Sequence, residues 1–156
     1  MNIMLLDDLD KRILNILQED ASISNQELAE KVFSSPPTCL RRVKQLEKEG
    51  IIQQRVALLD EQKLGSSLTA IVEINLLQQS AEVFDAFESL IVPEKAVKQC
   101  YRVSSGPDFI VILQVPDMNA YHDLVRKLFT ATNQVRNVRT FFSTHRSKFE
   151  TKVVVE

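Results

Sequence analysis

Ser35-Pro36-Pro37-Thr38-Cys39-Leu40-Arg41-Arg42-Val43-Lys44-Gln45-Leu46-Glu47-Lys48-Glu49-Gly50-Ile51-Ile52 organises this chain. The stretch begins as helices begin, with a serine able to cap and a proline whose missing N–H does no harm at the first helical position. Gly50 supplies the stop. At about 100° per residue, Cys39, Leu40, Val43 and Leu46 gather on one side. Thr38, Arg41, Lys44, Gln45 and Lys48 gather on the other, with Arg42 at the flank. A short capped helix that displays arginine, lysine, glutamine and threonine together suits a DNA groove.

Two more helices precede it. Leu6, Leu9, Ile13, Ile16 and Leu17 form the stripe of the first, with Asp7 and Asp8 near its positive end. The chain breaks at Asp20-Ala21-Ser22. Ser24-Asn25-Gln26-Glu27 then spells a capping box, with Ile23 and Leu28 placed as a hydrophobic staple. This second helix runs through Val32 and yields near Phe33-Ser34. A turn of about three or four residues between the second and third helices is helix-turn-helix spacing. Ile51 to Leu59 is β-prone and is expected to form a wing beside the recognition helix.

In such a module the early residues of the second helix of the pair enter the major groove. Thr38, Arg41, Arg42 and Gln45 are therefore candidates for base edges, and Lys44, Lys48 and Arg55 for phosphates. The whole chain of 156 residues carries a formal net charge of −2, so its cations must be concentrated to meet DNA. They are: Lys31, Arg41, Arg42, Lys44, Lys48 and Arg55 face only Glu47 and Glu49 over that span.

Hydrophobic content of 44% and charged content of 26% are those of an ordinary globular protein. Cys39 and Cys100 have no metal-ligand spacing and suggest no disulfide framework, and no metal or cofactor is expected. The apolar run Ile3 to Leu6 is short for a signal segment, and no stretch is long enough to span a bilayer, so a cytoplasmic protein is expected.

Asp60 to Ser67 is polar, contains Gly65, and is expected to link residues 1–59 to a second domain at 68–156. There the period changes from helical to alternating. Leu68, Ala70, Val72, Ile74 and Leu76 share one strand face; Ile71 and Leu77 fall on the other. Ser80 opens a helix with Val83, Phe84, Phe87, Leu90 and Ile91 on one side. Two strands follow, Ala96 to Ser104 and Asp108 to Val115, joined by Ser105-Gly106-Pro107. Asp117 opens a helix carrying Tyr121, Leu124, Val125, Leu128 and Phe129. A final pair of strands is expected at Val135 to Ser143 and Phe149 to Val155. The order βαββαβ is that of a ferredoxin-like sandwich, so the fold class is α+β. Ile71, Leu77, Ile110 and Ile112 lie opposite the helices, and dimerisation is the economical cover for them.

A winged helix-turn-helix followed by this unit resembles the leucine-responsive regulatory protein (Lrp)/AsnC family of transcription regulators. The resemblance rests on Leu9-Asp10-Lys11-Arg12-Ile13-Leu14 and Ile23-Ser24-Asn25-Gln26-Glu27-Leu28. It also rests on Ser35, Pro36, Cys39, Arg42, Val43, Leu46 and Glu47, matching S-P-x-x-C-x-x-R-[VI]-x-x-L-E, and on Val115-Pro116-Asp117-Met118 and Val138-Arg139-Thr140. It implies double-stranded DNA as partner, a small amino-acid effector bound between subunits, and dimers that assemble further, commonly into octamers as a tetramer of dimers.

The family's sensing loop has a G-x-x-D pattern. Asp108 and Phe109 match its end, but Ser105 stands at the glycine position, Gly106 falls one place later, and Pro107 removes an amide donor. Phe33-Ser34 stands where the family often has Gly-Leu, making Phe33 a candidate to supply the apolar contact. For the effector, the turn amides suit a carboxylate. Asp108 offers a charge for an ammonium, and Ser104, Ser105, Thr140 and Thr144 offer hydroxyls. Tyr101, Met118, Phe142 and the stem of Arg102 are candidates to bound a side chain. Apolar Met118 and Phe142 favour leucine or methionine. Some relatives with this layout act on tetrapyrroles through histidines. Here His122 and His145 come without a nucleophile–base pair or metal cluster, so no enzyme is expected.

Overall fold

The computed structural model describes residues 5–65 and 67–156; Ile3 and Met4 of the first apolar run and Ser66 of the expected linker lie outside the described residues. Asp60–Ser147 makes one compact unit, and the chain before Asp60 makes the other together with Lys148–Glu156.

The N-terminal unit holds helices Asp8–Glu19 (α1), Asn25–Lys31 (α2) and Pro36–Lys48 (α3). Each begins on a side-chain cap. Ser24 and Glu27 form the anticipated box: the Ser24 hydroxyl accepts from the Glu27 N–H at 3.2 Å, and the Glu27 carboxylate accepts from the Ser24 N–H at 3.1 Å. The Ser24 hydroxyl also donates to the Glu27 carboxylate at 2.7 Å, and this bond first, with that from the Ser24 N–H second, favours the ionised form and holds the Glu27 carboxyl below its usual range. α1 is capped the same way by two aspartates, Asp7 and Asp10. α3 ends on Gly50 at φ 73°, with Gly50 N–H to the Glu47 carbonyl and Ile51 N–H to the Leu46 carbonyl, both 3.0 Å. This paired closure needs a left-handed residue at Gly50's position. Ile13, Leu14, Leu28, Ala29, Val32, Cys39, Val43 and Leu46 form the core.

α2 closes with the same pair of bonds, Phe33 N–H to Glu30 and Ser34 N–H to Ala29, but its left-handed residue is Phe33 at φ 55°. Phe33 is 91% exposed. It does not supply the expected apolar contact, because the left-handed turn aims it into solvent. A bulky residue in this conformation carries about 1–2 kcal/mol of strain. Glycine relieves the strain at some cost in unfolded-chain entropy. Phe33→Gly is therefore expected to stabilise the N-terminal unit by about 0.5–1 kcal/mol, a rise of about 3–6 °C in its calorimetric transition. A fall would mean that the ring makes a stabilising contact.

The second unit runs Glu61–Leu64 (α4), Leu68–Leu76 (β1), Ala81–Ile91 (α5), Val97–Arg102 (β2), Phe109–Val115 (β3), Met118–Leu128 (α6), a 3₁₀ turn at Ala131–Asn133, and Val135–Phe142 (β4). The sheet is antiparallel in the order β2-β3-β1-β4, the α+β sandwich expected from the βαββαβ order. Ala70, Val72, Ile74 and Leu76 of β1 and Phe109, Val111, Leu113 and Val115 of β3 are buried under Phe87, Ile91, Tyr121, Leu124 and Leu128 of the helices. The opposite sheet face carries Ile71, Tyr101 and Phe141, all exposed, and half-buried Ile110 and Ile112. Leu90, expected on the buried side of α5, is exposed.

Three elements differ from the sequence reading. The linker contains α4. The β-prone run Ile51 to Leu59 makes no ladder among the described residues, and Val56, Leu58 and Leu59 are exposed, for want of a strand to pair with. The strand expected at Phe149 to Val155 is also absent. That tail packs on α1 instead: Gln18 donates from Nε2 to the Val153 carbonyl at 3.1 Å and accepts from the Val153 N–H at 2.7 Å. Asn15 donates to the Val155 carbonyl, and Val155 packs against the helical core. The Gln18 amide takes the place of a neighbouring strand.

Candidate nucleic-acid interface and effector elements

The buried stripe of α3 is Cys39, Val43 and Leu46, so Arg41, Lys44, Gln45 and Lys48 stand together on its exposed side. Two other candidates stand differently. Arg42 turns inward: its guanidinium pairs with Asp7 at 2.7 Å and with both oxygens of Asp10 at 3.1 and 3.2 Å. Asp10 is 1% exposed, and Arg42 Nε is buried without a partner among the described residues. Arg42 is thus withdrawn from the base-reading candidates, because two carboxylates of α1 claim it. The Thr38 hydroxyl is bonded to the Ser35 hydroxyl at 2.8 Å, inside the cap. Arg55 pairs with Glu47 at 2.9 Å in an exposed bridge, weak enough to exchange for a phosphate.

Leu40, expected on the core side, is 46% exposed. The finer pattern could have shown this, since Cys39, Val43 and Leu46 already complete a seam that Leu40 only flanks.

In the second unit Asp108 is 7% exposed. Its carboxylate accepts from the Leu76 N–H at 2.7 Å and from Gln79 Nε2 at 3.0 Å, tying the end of β1 to the start of β3. Phe109 is core, against the Phe84 and Phe87 rings at 5.6 and 5.0 Å. Arg102 is held on α5 by Asp85 at 2.8 Å and Glu88 at 3.0 Å and lies over the Phe84 ring; these bonds, Asp85's foremost, raise its pKa further. Tyr101 points from the opposite sheet face. Sequence spacing had grouped these residues because they are consecutive, but alternate strand residues face opposite ways.

Ser104, Ser105, Gly106 and Pro107 remain at the surface or half-buried in the β2–β3 turn, with Gly106 at φ 86°. The apolar candidates form a separate group. Phe142 meets the Tyr121 ring edge-on at 5.0 Å, and the Tyr121 and Thr140 hydroxyls share a bond of 2.5 Å. Met118 is exposed at the start of α6. Tyr121 was not among the sequence candidates, although it lies one turn after Met118. Thr144 lines a polar cleft of about 730 Å³ with Glu61, Ser67, Thr69 and Ser143.

Pairing of Ile74 with Phe109, Leu68 with Val115 and Ala70 with Phe142 sets the two groups at opposite ends of the sheet. Phe142, opposite Ala70, stands four strand steps from the Ile74–Phe109 pair, about 13 Å, and Val115, ahead of Met118, stands six steps from Phe109, about 20 Å. Cys39 is buried; Cys100 is half-buried, and burial raises its thiol pKa. Among the described residues no group of three or more His, Cys, Asp or Glu is placed to hold a metal, and no helix is long and apolar enough to cross a membrane.

Comparison with known proteins gives two family matches: winged helix-turn-helix DNA-binding over residues 6–53, and the Lrp/AsnC ligand binding domain over residues 69–153. The leucine-responsive regulatory protein of Klebsiella pneumoniae is 37% identical over 151 residues, covering 97% of this chain and 92% of its own. Among solved structures, an AsnC family transcriptional regulator from Agrobacterium tumefaciens is similar with a TM-score of 0.87 at 34% identity, covering 96% of this chain and 97% of that one. A transcriptional regulator from Neisseria meningitidis in complex with L-Met gives 0.86 at 29% identity, with the same coverage.

Proposed function

We propose, for a chain that belongs to the Lrp/AsnC family of DNA-binding transcriptional regulators and is not an enzyme, that its amino-acid effector is leucine or methionine, bound between subunits. The observation that carries this reading is the separation of the turn Ser104–Pro107 from Met118 and Phe142. The span from the turn end of the sheet is about 13 Å to the register position of Phe142 and about 20 Å to that of Val115 ahead of Met118, longer than an amino acid. One copy cannot offer it both the turn amides and the apolar side chains, whereas two copies can. The apolar sheet face of Ile71, Tyr101 and Phe141 and the unpaired run with Val56, Leu58 and Leu59 support association of copies into a dimer, and of dimers into the octamer common in the family. The relative in complex with L-Met supports the choice of an apolar amino acid.

On DNA, Arg41 and Gln45 read base edges, and Lys44, Lys48 and Arg55 hold phosphates. A dimer offers two such helices to a pseudo-palindromic site. The effector acts by preferring one arrangement of subunits, which sets the spacing of those helices. The site of action is the cytoplasm, in company with the DNA the protein binds.

Thermal melting of the full chain against each of the twenty amino acids tests the effector. At about 100 times its dissociation constant, a ligand adds about 2.7 kcal/mol, a shift of several degrees. Leucine or methionine is expected to give it. A shift with polar amino acids alone, or with none, would overturn the apolar reading.

A further inference from the structure

The exposed side of α3 changes character along its length. Its first five residues show Pro36, Pro37 and Leu40 at the surface, and no charged group. The hydroxyls there, Ser35 and Thr38, are bonded to each other, and Ser35 also accepts from the Thr38 N–H at 3.4 Å. The later turns show Arg41, Lys44, Gln45 and Lys48. The helix therefore leads with an apolar edge and follows with cations.

Those cations fix what the edge meets, since a polyanion complements the same surface. The leading residues of a recognition helix are the ones that reach base edges. The Ser35–Thr38 pair keeps one O–H outside that bond, whereas Pro37 and Leu40 offer guanine, cytosine or adenine no side-chain partner. The major groove offers one apolar mark, the thymine C5-methyl group. We infer that Pro37 and Leu40 read thymine methyl groups, so that beneath the first five residues of α3 the preferred site holds A·T pairs with thymine toward the protein. Arg41 and Gln45 then read the neighbouring positions by hydrogen bonds. This assignment rests on the DNA-binding reading and adds to it a sequence preference and the residues that set it.

The test begins with selection of the preferred duplex from a random pool by the full-length protein. Each thymine of that site is then replaced singly by deoxyuridine, which removes only the methyl. One burial-sized methyl contact is worth about fourfold in affinity. Wild type is expected to lose about that factor at one or two positions in each half-site. Leu40→Ala should bind thymine and deoxyuridine alike at one of them, while Lys48→Ala should weaken binding yet keep the full penalty. Because Leu40 is exposed, its alanine variant should retain the fold, and the wild-type scan stands without it. No methyl dependence, or the same dependence in Leu40→Ala, would overturn the inference and leave DNA binding intact. Failure to bind any duplex would overturn both, and would point to a protein as the occupant of this edge.

Discussion

Arg42→Ala is expected to destabilise the N-terminal unit by about 3 kcal/mol. Breaking a buried ion pair by removing one partner costs about 3–5 kcal/mol, because the other charge is left without compensation. The lower end applies because the Arg42 side chain keeps 25% exposure while Asp10 keeps 2%. Without Arg42, the Asp10 carboxylate retains one hydrogen bond among the described residues, a 3.3 Å contact from the Asp7 N–H. Hydrogen exchange of the full chain is the suitable measurement, since the two units need not unfold together. Protection at Ile13, Val43 and Leu46 should fall about a hundredfold, the equivalent of about 3 kcal/mol. A loss below tenfold would mean that water already serves Asp10. At temperatures where the variant is folded, its base preference should match wild type. A changed preference with unchanged protection would return Arg42 to the groove.

The same ion cluster sets an acid limit. The Asp10 N–H, and next Arg42, hold the Asp7 carboxyl below its ordinary value, and Ser22 and Ser24 do the same for Asp20 and Glu27. A carboxylate whose folded pKa is depressed stabilises the fold above its unfolded pKa, about 4, and loses that contribution as pH falls through the lower folded value. Arg42→Ala should weaken this acid dependence in α1 and leave the part due to Asp20 and Glu27 in place.

The caps, the helical seams and the βαββαβ order were legible because each is local: Ser24 and Glu27 are three residues apart, and alternation along β1 shows within nine residues. What sequence could not show was which long-range partner would claim a polar side chain. Arg42 and Asp10 are 32 positions apart, as are Leu76 and Asp108, and each bond gives a candidate side chain a partner within the fold. The tail shows the same limit in another form. Alternation through Val153 and Val155 is real and does mark extended chain. Its partners are Asn15 and Gln18, however, and no β periodicity identifies a helix as the edge to pair with. Phe33 was misjudged for a third reason, since hydrophobicity predicts burial only where the backbone permits it.

DNA affinity is expected to fall about a thousandfold as salt rises from about 50 to 200 mM, because each neutralised phosphate contributes about −0.9 to the log–log slope. Arg41, Lys44 and Lys48 are exposed and have no carboxylate within ion-pair distance among the described residues. With Arg41 assigned to a base edge, two copies of Lys44, Lys48 and Arg55 engage about six phosphates, for a slope of about −5. With a net charge of −2 the chain as a whole does not attract DNA, so the clustered cations must. Lys48→Ala should make the slope shallower by about 1.8 per dimer, one phosphate lost on each helix, and weaken cognate and scrambled duplexes equally. Arg41→Ala should instead weaken the cognate duplex more than the scrambled one. Fluorescence anisotropy on the two duplexes, over the same salt range, separates the roles. A slope shallower than about −2 would remove the exposed side of α3 as the phosphate surface. Equal losses on both duplexes for both variants would defeat the division between base and phosphate contacts, since Arg41 would then add charge and no sequence information.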